Sequence, residues 1–211
     1  MTNLKQKILL LKNSKVKEIV DKRLKEFELK QKQNNDEWYS EMCFCILTAN
    51  SRAQTAINIQ NELGPKGFLE KNQKELEETI SRNKHRFSGM KSRYLIESRK
   101  QKEIKSILTN LTIKSQEFLR NYLAENILGI GLKEASHFLR NVGFFELAIL
   151  DRHILALLQE YKYISEIPKS LTKKEYFRIE KIFQNLAKEL NMASAELDLY
   201  MWYMRTGEVL K

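Results

Sequence analysis

Only seven glycines and two prolines interrupt 211 residues, and this scarcity of turn-forming residues constrains the fold more than any other feature of the chain. A sandwich or barrel of short strands needs a turn signal about every 8–12 residues, which so few breakers do not supply. Apolar residues instead recur at helical spacing almost throughout, and no alternating run is long enough to build a sheet. The expected class is all-α. With 42% hydrophobic residues, the chain has ample apolar surface to bury one core or two small lobes.

The periodicity predicts individual helices. Ser14 is placed to cap a helix with an inward stripe of Val16, Ile19, Val20, Leu24 and Phe27. Asp36 is expected to cap the next, whose residues Trp38, Met42, Cys43, Phe44, Ile46 and Leu47 are apolar nearly all round, as in a core helix. A helix from Ser51 is expected to stop at Gly64-Pro65. Further helices are predicted around Leu76–Ile80, over Met90–Ile107, Ser115–Asn126, Leu132–Val142 and Ile154–Glu160, and then over the stretches holding Ile179–Leu190 and Leu197–Met204. The division expected is a first lobe of about residues 36–140, containing a helix–hairpin–helix at about 121–142, and a second of about 1–35 plus 141–211.

Thirty-seven Lys and Arg against 27 Asp and Glu give a net charge of +10, which favours a polyanionic partner. Cys43 and Cys45 are too few for a disulfide framework and wrongly spaced for a zinc or iron–sulfur cage, so no metal centre is expected. The longest apolar stretches fall far short of the ~20 residues that cross a bilayer, and Met1–Lys12 lacks a signal-peptide cleavage site. The reading is a soluble, cytoplasmic monomer without a membrane partner.

The informative segment is Ile127-Leu128-Gly129-Ile130-Gly131-Leu132-Lys133-Glu134-Ala135-Ser136, a helix end, a two-glycine turn and a second helix start. Gly129 and Gly131 permit backbone angles closed to other residues. The amides of the turn and the dipole of the following helix form an anion site suited to a phosphate. Lys133 sits two positions beyond the hairpin and can reach the same phosphate; it becomes a nucleophile only if its amine loses its proton. Asp151 precedes an apolar helix, where it serves equally as an N-cap or as a carboxylate beside developing positive charge.

The run Leu-Gly-Ile-Gly-x-Lys-x-Ala, followed by Asp151 in Ile149-Leu150-Asp151-Arg152-His153-Ile154, resembles the helix–hairpin–helix base-excision DNA glycosylases, and among them the short archaeal-type 8-oxoguanine DNA glycosylase/lyases. Glu41–Asn50, His85-Arg86-Phe87, Ala135–Gly143 and Leu197–Tyr203 share the likeness, which covers nearly the whole chain. The loop Gly143–Ala148 departs from the superfamily pattern: it has the glycine and lacks the proline.

The resemblance implies a two-lobed helical fold, with an active-site cleft between the lobes, that flips 8-oxoguanine out of double-stranded DNA, excises it and nicks the abasic site. It implies Lys133 as the Schiff-base nucleophile and Asp151 as its acidic partner. Gly129, Gly131 and His153 would contact DNA phosphate, Asn50 would fill the gap opposite the orphan base, and Phe87, Trp202 and Lys211 would form the base pocket. A carboxylate at Lys211 would accept the N7 hydrogen that distinguishes 8-oxoguanine from guanine. No cofactor is required, though a monovalent cation could sit at the hairpin. His137, beside Phe138 and Leu139, reads as a satisfied core or supporting residue. The alternatives left open are a glycosylase for another damaged base, disfavoured for pyrimidines by the missing cluster cysteines, and a non-catalytic DNA-binding module.

Overall fold

The computed structural model describes residues 3–111 and 114–211, so Met1 and Thr2 of the expected second lobe lie outside the described residues. These form twelve α-helices and a 3₁₀ turn at Arg99–Gln101, with no strand among them. In order, the helices are α1 (Leu4–Lys12), α2 (Val16–Gln31), α3 (Asn35–Thr48), α4 (Ala53–Glu70), α5 (Gln73–Arg82), α6 (Ser88–Ser98), α7 (Ile104–Leu111), α8 (Gln116–Asn126), α9 (Leu132–Asn141), α10 (Arg152–Glu160), α11 (Lys173–Glu189) and α12 (Ser194–Thr206).

The apolar side chains gather into two cores. One takes buried residues from Trp38 to Leu147, and the other takes Leu4 to Phe27 together with Ala148 to Val209. The chain thus passes from one core to the other between Leu147 and Ala148, beyond the position near 140 drawn from sequence. The hairpin helix α9 stays with the first core, and α10 opens the second.

Helix α3 is the axle of the first core, since every residue from Trp38 to Thr48 is buried. Cys43 and Cys45 lie fully enclosed on it, and both are free thiols. Each fully buried Phe, Met, Leu or Ile contributes about 1.5–3 kcal/mol over its exposed state, which outweighs any preference of a single cap. Its N-cap is Asn34, whose side chain accepts from the Glu37 amide at 3.0 Å. Asp36 falls inside the first turn instead, where its charge faces the positive end of the helix dipole. The far end is closed by side chains: Lys91 Nζ donates to the Ile46 carbonyl at 2.6 Å, and His85 Nε2 lies 2.9 Å from the Leu47 carbonyl.

Two other sequence readings need correction. Gly64 adopts φ 59°, ψ 178°, and Pro65 restarts the helix at once, so α4 kinks at this pair rather than ending there. Proline suits the first position of a helical segment, and the renewed helix buries Phe68. On α2 the inward face is narrower than the predicted stripe: Val16, Val20 and Phe27 are buried, Leu24 packs partly against them, and Ile19 is exposed. Ser14 Oγ accepts from the Val16 amide while Lys15 occupies the cap position.

Two buried ion pairs cross between the cores. Arg120 of α8 bonds Glu180 of α11, and Arg140 of α9 bonds Asp198 of α12.

Candidate active site

The hairpin turn is shaped by one glycine rather than two. Gly129 has φ +89°, and a Cβ there would lie 2.4 Å from Cδ2 of Tyr94, so both conformation and space exclude a side chain. Gly131 has ordinary extended angles, φ −97° and ψ −173°, and serves as the N-cap of α9. Its amide donates to Glu134 Oε2 at 3.3 Å, while Glu134 Oε1 sits 3.0 Å from Lys133 Nζ. One carboxylate thus ties the turn to the lysine. The Gly131 amide, expected to be open to a phosphate, has a protein partner here. Glu134 went unnoticed in the sequence, although the spacing of a cap residue and a glutamate three positions on is the signal of a capping box.

Lys133, His137 and Arg140 follow one another at i, i+4 and i+7, which puts them on one face of α9. That face lines a cavity shared with Ile149, Asp151, Asp198 and Trp202, and with Thr48, Ser51, Leu210 and Lys211. Side chains from both cores therefore meet here.

Asp151 is the N-cap of α10, and its Oδ1 accepts from the amides of His153 at 2.9 Å and Ile154 at 2.8 Å. Both bonds use the same oxygen. Oδ2 has no hydrogen-bond partner among the described residues, so capping and a second role at the cavity are compatible. Lys133 is paired with Glu134 rather than with Asp151.

Trp202 lines the cavity, with His153 edge-on to its ring at a centroid distance of 5.1 Å. His153 itself is not among the residues that line the cavity, and its Nε2 accepts from Arg152 Nε at 3.3 Å. Asn50 follows α3 in the left-handed region at φ 62°, exposed, between the cavity residues Thr48 and Ser51. It caps no helix, because α4 begins after Arg52. Phe87 is not brought to the cavity. It is half-buried at the start of α6, with the Arg86 guanidinium 4.6 Å from its ring centroid.

Lys211 turns its ammonium into the protein, 2.9 Å from Glu41 Oε2, bonded to Gln60 Oε1 and 4.3 Å from the Phe44 ring centroid. Burial pushes the Glu41 carboxyl up, but Lys211 and the Asn141 amide overcome this and hold it below the usual carboxylate range. Asn141 in turn accepts from Arg140, so the network runs from Lys211 through Glu41 and Asn141 to the Arg140–Asp198 pair. Burial pushes Asp198 up to about 6 despite Arg140, and the like charge of Asp151 adds to the rise.

His137 corrects the sequence reading. It is 8% exposed, as a core residue would be, yet its Nε2 has no hydrogen-bond partner, and neither does Nε1 of Trp202. Lys91 was also missed: it is 2% exposed, and burial, with Lys133 acting in the same sense, lowers it to about 8. No group of three or more His, Cys, Asp or Glu among the described residues is arranged to hold a metal ion. None of the helices among the described residues is long and apolar enough to cross a membrane.

A family model described as 8-oxoguanine DNA glycosylase matches residues 20–192. An 8-oxoguanine DNA glycosylase/AP lyase of Methanocaldococcus jannaschii is 49% identical over 98% of both chains, and one of Thermoplasma volcanium is 43% identical over 92% of both. The solved structure of a Methanocaldococcus jannaschii 8-oxoguanine glycosylase/lyase in complex with a 15mer DNA containing 8-oxoguanine superposes with a TM-score of 0.95 at 48% identity, covering 99% of each chain. The 8-oxoguanine DNA glycosylase of Thermotoga maritima superposes with a TM-score of 0.91 at 36% identity, covering 99% of this chain and 98% of that one.

Proposed function

This chain belongs to the 8-oxoguanine DNA glycosylase family, and from that premise we propose that it excises 8-oxoguanine from double-stranded DNA and then cleaves the abasic site through Lys133. The observation that carries the residue assignment is the meeting of Lys133, Asp151 and Trp202, drawn from both cores, around one cavity. A binding module would need the hairpin and the positive charge alone; it has no use for a lysine and a carboxylate facing a shared space.

The chemistry follows from those groups. A flipped nucleotide brings its anomeric carbon, C1′, to the cavity at a cost of a few kcal/mol in lost stacking. Lys133 must first give up a proton, and Glu134, 3.0 Å from its Nζ, is the nearest carboxylate to take it. The free amine forms a bond to C1′ as the bond from C1′ to N9 breaks, and that electron pair leaves with the base. Positive charge on the sugar grows during this step, and Asp151 is the carboxylate assigned to stabilise it. Ring opening gives a Schiff base, loss of a C2′ proton expels the 3′ phosphate, and water returns the lysine. No cofactor enters this route.

The remaining roles rest on position. Trp202 offers a π-face to the base, Asn50 projects from a turn beside the cavity to fill the gap, and the Gly129–Gly131 turn approaches the backbone. His153 is assigned to hold the Trp202 ring rather than to contact phosphate alone. Phe87 would have to move to join them. Acting on DNA gives the chain a cytoplasmic, nucleoid-associated place of work.

The test is Lys133→Gln with borohydride trapping on a duplex carrying one 8-oxoguanine. The expected result is loss of both base release and the covalent adduct, with binding of the damaged duplex retained. An adduct of undiminished yield would move the nucleophile elsewhere, and the buried Lys91 would be the first amine to replace.

A further inference from the structure

Asn50 holds φ 62°, a backbone conformation that asparagine tolerates better than most side chains but that is uncommon outside glycine. Such a conformation persists where the surroundings over-determine it. Here the surroundings are the end of α3. A helix leaves its last four carbonyls without partners inside the helix, and the backbone amides that follow, folded back around a glycine, commonly close them. At the end of α3 three of the four are closed by side chains instead. Thr48 Oγ1 donates to the Cys45 carbonyl at 2.8 Å, Lys91 Nζ to that of Ile46 and His85 Nε2 to that of Leu47, while the Ser51 amide donates to the fourth, Thr48, at 3.1 Å. His85 and Lys91 belong to the loop before α6 and to α6 itself, and both are buried.

Given the gap-filling role assigned to Asn50, on which this inference rests, we propose that His85 and Lys91 are positioning residues: by holding the Leu47 and Ile46 carbonyls they fix where α3 ends, and so deliver the Asn50 side chain to the space that the flipped base vacates. A helix turns by about 100° per residue, so an end that frays by one residue swings Asn50 away from that space. The bonds on the histidine settle its tautomer. A carbonyl only accepts, so Nε2 carries the proton, and Nδ1, left with its lone pair, accepts from the Phe87 amide at 3.2 Å. Burial holds the ring below the usual imidazole range, which favours this neutral form. The same helix braces the hairpin: Lys91 Nζ lies 5.8 Å from the ring centroid of Tyr94, the side chain that leaves no room for a Cβ at Gly129. Through α6 the Asn50 turn and the hairpin turn are set against one support.

A role exerted through one side chain is separable from a general loss of structure. Excision of 8-oxoguanine from a fully paired duplex is measured in single turnover at saturating enzyme. Asn50→Gly keeps the left-handed turn and removes the side-chain amide; it should slow excision about tenfold, the scale of one hydrogen bond lost. At position 85, asparagine reaches only to the place of Nδ1 and glutamine to that of Nε2. His85→Asn therefore keeps the bond to Phe87 and frees the Leu47 carbonyl. It should cost about tenfold with Asn50 in place and less than about twofold on top of Asn50→Gly, while His85→Gln stays within about twofold of wild type. If His85→Asn does not fold, Lys91→Met carries the same pair of expectations, since it keeps the buried stem and removes the donor. Equal losses in the two Asn50 backgrounds overturn the proposal, as do unslowed excision by the folded His85→Asn or Lys91→Met enzyme and a His85→Gln enzyme as slow as His85→Asn. An Asn50→Gly enzyme as fast as wild type would instead overturn the role of Asn50 beneath it, and a wild-type enzyme that leaves 8-oxoguanine in place would overturn the substrate reading.

Discussion

Two buried arginine–carboxylate pairs join the same two cores, and their surroundings differ. Arg120 and Glu180 are 1% and 5% exposed, Arg140 and Asp198 both 5%, so desolvation cost is much the same for each. The Arg120 guanidinium lies over Tyr176 and Phe177, and Glu180 also accepts from the Ala148 amide at 3.0 Å, where the chain changes cores. Neither residue lines the cavity. Arg140 and Asp198 both line it, beside Asp151 and Lys133, and are wired through Asn141 and Glu41 to Lys211. The first pair is a fastening between lobes. The second fastens the same lobes and also sets the positions and charges of the cavity wall. Buried ion pairs are weak evidence for stability, because two well-packed apolar residues often serve as well; the second pair has a reason to stay polar that the first lacks.

The sharpest way to break this contrast is to replace each pair with apolar residues. Arg120→Met with Glu180→Leu should leave stability unchanged or raise it by about 1–4 kcal/mol and leave excision within about twofold. Arg140→Met with Asp198→Leu should fold comparably yet lose about a hundredfold in excision, the scale of a 1 Å misplacement of reacting groups. Single-turnover assays on both double variants check this, and equal activities would dissolve the distinction.

Single truncations should hide the difference. Glu180→Ala and Asp198→Ala each leave an arginine buried without its charge partner, and each should cost about 3–5 kcal/mol in denaturant unfolding. A much smaller loss for Asp198→Ala would mean that water from the cavity already solvates Arg140.

The smallest effect is in pH. The Asp198 carboxyl rises from 3.8 to about 6 on folding, so the native state holds its proton more tightly than the unfolded chain does. Its contribution to stability is therefore full below about pH 4 and is lost as pH rises through about 6, an amount on the order of 1–3 kcal/mol. The protonated acid still bonds Arg140, which alanine cannot. Urea midpoints from pH 4 to 7 for wild type and Asp198→Asn should diverge over that window, and parallel curves would remove Asp198 from the titration.

The readability of this molecule from sequence followed distance along the chain. Helices α8 to α10, the hairpin and the capping position of Asp151 were all legible, because each is decided by residues within a turn or two. The face of Lys133, His137 and Arg140 is equally local, yet the sequence singles out only Lys133 for function and puts His137 in the core, since burial alone does not reveal an unfilled hydrogen bond. The network of Glu41, Gln60, Asn141 and Lys211 joins segments far apart in sequence, and no periodicity announces such partners. Phe87 is the converse case: a resemblance carries its role over, while its backbone places it at the start of α6, away from the residues that line the cavity.

The enclosure of α3 has a chemical consequence as well as a mechanical one. Peroxides attack thiolates, and only where they can reach them. Burial pushes the Cys43 thiol up to about 12 and that of Cys45 well above its ordinary value, and both side chains are fully shut away from solvent. An enzyme that removes an oxidised base works under the oxidants that made the lesion, and this one keeps its two sulfhydryls protonated and out of their reach.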